Sequence, residues 1–153
     1  MTPRQRYNEA HRLWFSLEYP GTFKDGHYTP PLYPDVTKAN GLTNYVLNYI
    51  KWAGYRSTRV NVQGRLIDKA VKTEAGNIFY DKRMIKSSTR KGAADVSSTI
   101  KGRSVMWEIK VGRDRPSQAQ LDEQARERKA GGEYFFTRTV EEFLDQFDTV
   151  AYG

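Results

Sequence analysis

Cysteine is absent from this chain. That excludes disulfides, thiolate zinc sites and a cysteine nucleophile, and it is compatible with a reducing cytoplasm. Histidine is scarce: His11 and His27 are the only two, with no His-x-x-His pair and no acidic cluster beside either. A histidine-built metal centre therefore has little support. No Gly-x-x-x-x-Gly-Lys-Ser/Thr loop is present, so nothing points to ATP hydrolysis. No apolar run approaches the roughly 18–20 residues that cross a membrane, and no apolar signal region opens the sequence. The expectation is a protein without a membrane partner, working in the cytoplasm. What is abundant is positive charge. The formal net charge is +7 and the pI is near 9.6. A balance this basic favours a polyanionic partner, nucleic acid or an acidic surface, without choosing between them. The 153 residues suffice for one domain with a single core.

Periodicity gives the element order. Ala10, Leu13, Trp14 and Leu17 form an i, i+3, i+4, i+7 stripe that predicts a short helix over 3–17. Residues 18–36 carry Pro20, Pro30, Pro31 and Pro34 among tyrosines and read as an irregular arm that packs on the core. This N-terminal extension, 1–36, precedes a domain expected over 37–150. A helix over 38–53 buries Leu42, Tyr45, Val46, Tyr49, Ile50 and Ala53, and Gly54 stops it. From 55 to 88 the pattern is strands and turns, with strands at 58–62 and 77–85 and a break at Gly64. Pro116 suits the first turn of a helix running to about Ala130. Residues 133–138 read as a strand. Thr139 and Glu142 predict a capping box opening a last helix whose buried face is Val140, Phe143, Leu144 and Phe147. The fold class is α/β, a mixed central sheet flanked by helices.

The most telling stretch is Gly92-Ala93-Ala94-Asp95, with Glu108-Ile109-Lys110 beyond it. Strand formers on either side of Lys101-Gly102 predict a hairpin centred on that turn. The register then sets Ile100 against Arg103, Val96 against Trp107, and Asp95 against Glu108. Directly opposed side chains sit roughly 4.5–5.5 Å apart, and like charges there repel. Such a pair calls for a cation between them, and a divalent metal is the obvious one. Period two puts Glu108 and Lys110 on one face and Val105, Trp107, Ile109 and Val111 on the other. Lys110 paired to Glu108 or Asp95 on an ordinary hairpin face is the plainer alternative.

Gly-x-x-Asp, a hairpin, then Glu-x-Lys resembles the core of the PD-(D/E)xK, or restriction-endonuclease-like, nucleases. Ser117-x-x-Gln120, the Gly131-Gly132 pair and the closing strand with Arg138-Thr139 before a helix resemble the VRR-NUC branch. The resemblance covers about 38–148 and implies a metal-dependent endonuclease acting on DNA, structure-selective, with Mg²⁺ or Mn²⁺ as cofactor. It implies metal ligation by Asp95, Glu108 and the backbone carbonyl of Ile109, catalysis by these carboxylates with Lys110 and Gln120, and 5′-phosphate and 3′-hydroxyl products. A homodimer and an origin in a bacterial or phage-infected cell are further expectations. Lys82, Arg83, Lys86, Arg90 and Lys91 before the motif, with Arg113 and Arg115 after it, would contact DNA phosphates.

Ser117, Gln120 and Gln124 share a helix face that either meets the site or is simply solvated among Asp122, Glu123, Arg126, Glu127 and Arg128. One departure matters: many members of the family it resembles carry a Glu on the first core helix, whereas 38–53 holds no Asp or Glu, and Asn40 stands near that position. A non-catalytic nucleic-acid-binding module on the same scaffold is therefore the alternative function, and a partner-binding protein with incidental charge a third.

Overall fold

The computed structural model describes residues 1–60, 65–85 and 91–153; over most of 65–85 only the strand path and pairing are described. Helices α1 (Pro3–Glu18), α2 (Pro20–Lys24) and α3 (Ala39–Trp52) precede strands β1 (Arg56–Arg59), β2 (Arg65–Lys72), β3 (Ile78–Ile85), β4 (Val96–Ile100) and β5 (Arg103–Ile109). Helix α4 (Gln118–Lys129), strand β6 (Glu133–Thr137) and helix α5 (Val140–Tyr152) complete the chain.

Strands β1, β4, β5 and β6 form one mixed sheet in that order, antiparallel except for the parallel β5–β6 pair. Alternation along the 96–109 hairpin decides its layering. Val96, Ile100, Val105, Trp107 and Ile109 are buried in the core with α3 and α5. The opposite face carries Met106, Glu108 and Lys110, and Glu108 there accepts from Gln120 of α4. The result is a mixed α/β fold with helices on both sides of the sheet. Among the described residues, no helix is long and apolar enough to cross a membrane.

The hairpin turn is set by backbone chirality. Lys101 and Gly102 both have positive φ, 49° and 79°, as a two-residue turn matching the strand twist requires. The predicted register holds from Val96↔Trp107 to Ile100↔Arg103. Helix α3 buries Leu42, Tyr45, Val46, Tyr49 and Ile50, and Gly54 follows it at φ 88°.

Several expectations need correction. Helix α1 exists, but Leu13 and Leu17 are 52% and 84% exposed, so the predicting stripe is not its buried face. The face that packs is Tyr7, Ala10, His11 and Trp14, at the same spacing. Tyr7 stacks on Tyr45 at 4.6 Å and His11 meets Trp52 at 4.6 Å, where burial pushes its pKa down. The arm contains the short α2 and does pack: Tyr33 and Val36 sit against the core. Pro116 lies outside the first turn of α4, because Ser117 is the N-cap. Thr139 caps α5 through the Glu142 N–H, but the Glu142 carboxylate accepts from the Arg138 N–H rather than from Thr139. The closed capping boxes are Thr2 with Gln5 and Ser117 with Gln120.

Strand β1 spans Arg56–Arg59, shorter than the expected 58–62, whose end and Gly64 fall outside the described residues. Between β1 and β4 the chain makes an excursion that holds β2 and β3, paired from Arg65↔Ile85 to Lys72↔Ile78 as a separate two-stranded sheet. The sequence reading did not separate this ribbon from the main sheet.

One polar group is built into the core. Trp107 Nε1 donates to Ser98 Oγ at 2.8 Å, and Ser98 donates to the Val105 carbonyl at 2.8 Å. Ser98→Ala leaves the indole N–H buried without an acceptor. We expect it to cost about 1–3 kcal/mol, read as a lowered denaturation midpoint with an unchanged m-value.

Candidate active site

Asp95 occupies the register position after the last β4–β5 pair, Val96↔Trp107, opposite Glu108. Its carboxylate turns to the strand edge, where Oδ2 accepts the Ile109 N–H at 2.9 Å. The N–H and C=O of one strand residue point to the same edge. The Ile109 carbonyl therefore leaves β5 on the side where Asp95 sits. The Asp95 carbonyl accepts the Val60 N–H at 2.8 Å, which ties it to the end of β1.

Glu108 projects from β5 toward α4 and is 6% exposed; Lys110, two residues on, is also 6% exposed. Lys110 Nζ lies 3.2 Å from Glu108 Oε1 and 3.3 Å from Asp114 Oδ2. Gln120 reaches the same Glu108 oxygen, its Nε2 donating at 2.5 Å. Burial and then the neighbouring Asp95 charge push the Glu108 carboxyl up to about 7, against the opposing pull of Lys110. The plainer reading is met in its ion pair, Lys110 with Glu108, and differs in exposure, since both residues are buried.

The Ser-x-x-Gln spacing has a physical reason. Gln120 Oε1 accepts the Ser117 N–H at 2.9 Å while Ser117 Oγ accepts the Gln120 N–H at 3.3 Å. This reciprocal cap fixes one end of the Gln120 amide and leaves the other to hold Glu108. Gln124 donates to the Tyr134 carbonyl at 2.8 Å. Of this helix face, Gln120 reaches Glu108 and Gln124 the β6 backbone, while Ser117 is exposed.

Gly92 also has a reason. It sits at φ +85° with its missing Cβ position against the Ala119 carbonyl of α4, and its own carbonyl accepts from Tyr134 Oη at 2.9 Å. Any side chain there would push α4 off the strand end that carries Asp95.

Asn40, near the position where an acid was sought, is exposed and accepts from Arg59 Nη2 at 2.6 Å. Asp35 is occupied with Thr37 and Lys38. Among the described residues, no three His, Cys, Asp or Glu side chains are gathered at one point. The donor set is two carboxylates and one backbone carbonyl, all hard oxygens. It fits a divalent ion that retains several waters, as Mg²⁺ commonly does with one or two carboxylates. Burial raises Glu108 most and the Asp95 charge next; the second of these is what such an ion would offset.

Of the basic residues, Lys91, Arg113 and Arg115 are exposed. Lys82 and Arg83 lie on β3 with side chains outside the description, as do those of Phe79 and Tyr80, and Lys86 and Arg90 fall outside the described residues. Sequence reasoning missed Asp114, whose signal was its i+4 spacing from Lys110, and Tyr134, buried beneath α4. It also missed the bond from Arg59 to Asn40, which had no local signal. Comparison with protein-family models, with curated proteins and with solved structures gives no match for this chain.

The raised Glu108 pKa has a sign. The folded state holds the proton above the unfolded pKa of about 4.3, so folding stability falls as pH rises from there to about 7 and is then level. In the metal-free protein, Glu108→Gln should remove this loss. It should be more stable than wild type above pH 7, by up to ~3 kcal/mol, and indistinguishable near pH 4. Urea titrations at the two pH values read the difference.

Proposed function

We propose that this chain is a metal-dependent nuclease that hydrolyses DNA phosphodiester bonds, built on a restriction-endonuclease-like core of the VRR-NUC kind. The observation that carries the reading is the meeting of three separately spaced motifs at one buried carboxylate. Glu108 of Glu-x-Lys lies beside Asp95 of Gly-x-x-Asp and accepts Gln120 of Ser-x-x-Gln. The order helix, antiparallel strands, helix, parallel strand also agrees with that core.

Asp95, Glu108 and the Ile109 carbonyl would hold Mg²⁺ or Mn²⁺, which supplies Lewis-acid activation of water and of the phosphoryl oxygen. Gln120 and Lys110 keep Glu108 in one rotamer, with its Oε1 fully engaged. The Lys110 ammonium, fixed between Glu108 and Asp114, orients the attacking water and offsets charge gathering on phosphorus in the transition state. The P–O bond to the leaving 3′-oxygen breaks, giving a 5′-phosphate and a 3′-hydroxyl. Lys91, Arg113 and Arg115, with Lys82, Arg83, Lys86 and Arg90 from the β2–β3 excursion, would hold the flanking backbone, giving affinity that falls steeply with salt. A homodimer would present two such sites to the two strands of a duplex.

The missing third acid, with Asn40 in its place, favours one second reading: a nucleic-acid-binding module without catalysis.

Labelled branched, nicked and linear DNAs incubated with Mg²⁺, Mn²⁺ or EDTA separate the two. We expect cleavage with either metal and none in EDTA. Asp95→Ala should abolish it, and Lys110→Ala should slow it about 10²–10³-fold. Cleavage in EDTA, or cleavage unchanged by Lys110→Ala, overturns the mechanism. Salt-sensitive binding without cleavage by any divalent ion leaves the binding module.

A further inference from the structure

A cleft of about 430 Å³ opens where the N-terminal extension meets the ends of two strands. The parallel strands β5 and β6 both lead to it. Val111 and Gly112, just beyond β5, line it with Arg138 and Thr139, just beyond β6. Arg4 of α1 and Tyr33 of the arm line it as well. The space outside the carboxyl ends of parallel strands is where α/β folds commonly take ligands. The volume lies in the range of small-molecule sites, about 300–1,000 Å³.

The donors in this cleft are fixed but unspent. The Arg4 guanidinium lies over the Tyr33 ring, 5.1 Å from its centroid. Arg138 Nη1 donates to the Asp114 carbonyl at 3.0 Å. Both anchors are neutral, and among the described residues neither arginine has a carboxylate within ion-pair distance. Thr2 and Thr139 also line the cleft. Each hydroxyl oxygen accepts a backbone N–H, and its own hydrogen has no acceptor among the described residues. One carboxylate, Glu141, lines the cleft and opposes them. Burial first and the Glu141 charge second raise the Tyr33 pKa, while Arg4 lowers it, so both charges reach the same hydroxyl. Two guanidiniums against one carboxylate leave the cleft positive.

We propose that this cleft binds a phosphate group, with Arg4 and Arg138 as its cations; that the phosphate belongs to a nucleic-acid strand rests on the nuclease reading above. Guanidinium donors lie in a plane that matches phosphate oxygens, and the threonine hydroxyls add two more donors. The cleft is joined to the candidate active site through one loop. Val111 follows Lys110, and Asp114, whose carbonyl holds Arg138, pairs its carboxylate with Lys110 at 3.3 Å. A phosphate bound here is held against the loop that positions the lysine.

The test measures binding of labelled single-stranded oligonucleotides in EDTA across a salt series, carrying a 5′-phosphate, a 3′-phosphate or neither. Cleavage of branched DNA in Mg²⁺ and thermal melting run alongside. Arg4→Ala should weaken binding about tenfold and reduce the salt slope by about 0.7, with an unchanged melting temperature. Arg4→Lys should keep the slope. Glu141→Gln should tighten binding about threefold, a gain that a merely structural role does not produce. Lys129→Ala, an equal charge loss at the C-terminal end of α4 and outside the cleft, serves as the control and should match wild type. A loss with Arg4→Ala confined to one phosphorylated end assigns a terminal phosphate, and an equal loss on all three strands assigns an internal phosphodiester. If Arg4→Ala has the affinity and slope of Lys129→Ala while wild type cleaves, the cleft proposal alone is overturned. If wild type never cleaves yet the Arg4 loss appears, the nuclease reading alone falls. If wild type neither binds nor cleaves, both fall.

Discussion

Glu108 is buried next to a second carboxylate, and burying like charges together costs several kcal/mol unless partners answer them. Much of the local architecture supplies those partners. Lys110 comes from the same strand, two residues on. Gln120 comes from α4, whose first turn is pinned so that the amide arrives at the right oxygen. Asp114 shares the lysine. Asp95 spends one oxygen on a backbone N–H that the end of β4 would otherwise leave unmatched. Lys110 and Gln120 hold the Glu108 carboxyl in place, the kind of preorganisation on which electrostatic catalysis would draw.

Helix α4 illustrates how closely site and fold are joined. It has no buried residue of its own and almost no apolar face, so the usual hydrophobic stripe does not hold it down. Its attachments are polar and close-range: Gln120 to Glu108, Gln124 to the Tyr134 carbonyl, and backbone contact at Gly92. The helix is positioned by the same bonds that orient the candidate catalytic groups.

The hairpin was legible because one turn dipeptide fixes every pair that follows, and Lys101-Gly102 accepts the left-handed backbone that the turn requires. Helix α3 was legible because Leu42, Tyr45, Val46, Tyr49 and Ile50 fall on one stripe and a glycine ends it; the sixth predicted position, Ala53, is the C-cap and only partly buried. The face of α1 was not, because hydropathy rewards Leu13 and Leu17 while the core is made of rings, including an imidazole that packs as an aromatic. The dual use of Gln120 was half legible: the family resemblance put it near the site while spacing left a solvated face open, and the cap that frees only its amide nitrogen is a three-dimensional fact. Arg59 with Asn40 left no trace, since nineteen positions separate two polar residues joined only through the fold. The ribbon of β2 and β3 was hidden because paired strands look alike whether or not they join the main sheet.

The bond between the Val60 N–H and the Asp95 carbonyl brings together the two ends of everything from 61 to 94. Closing such an excursion costs only about 0.6 kcal/mol more for each doubling of its length. The sheet therefore registers where the chain leaves and returns, and is largely indifferent to the route between. Strands β2 and β3 pair only with each other, so a change in the length of that ribbon leaves the β1–β4 register unaltered, provided Gly92 keeps its place against α4. Variation in the ribbon has a place to accumulate apart from the strands that carry Asp95 and Glu108.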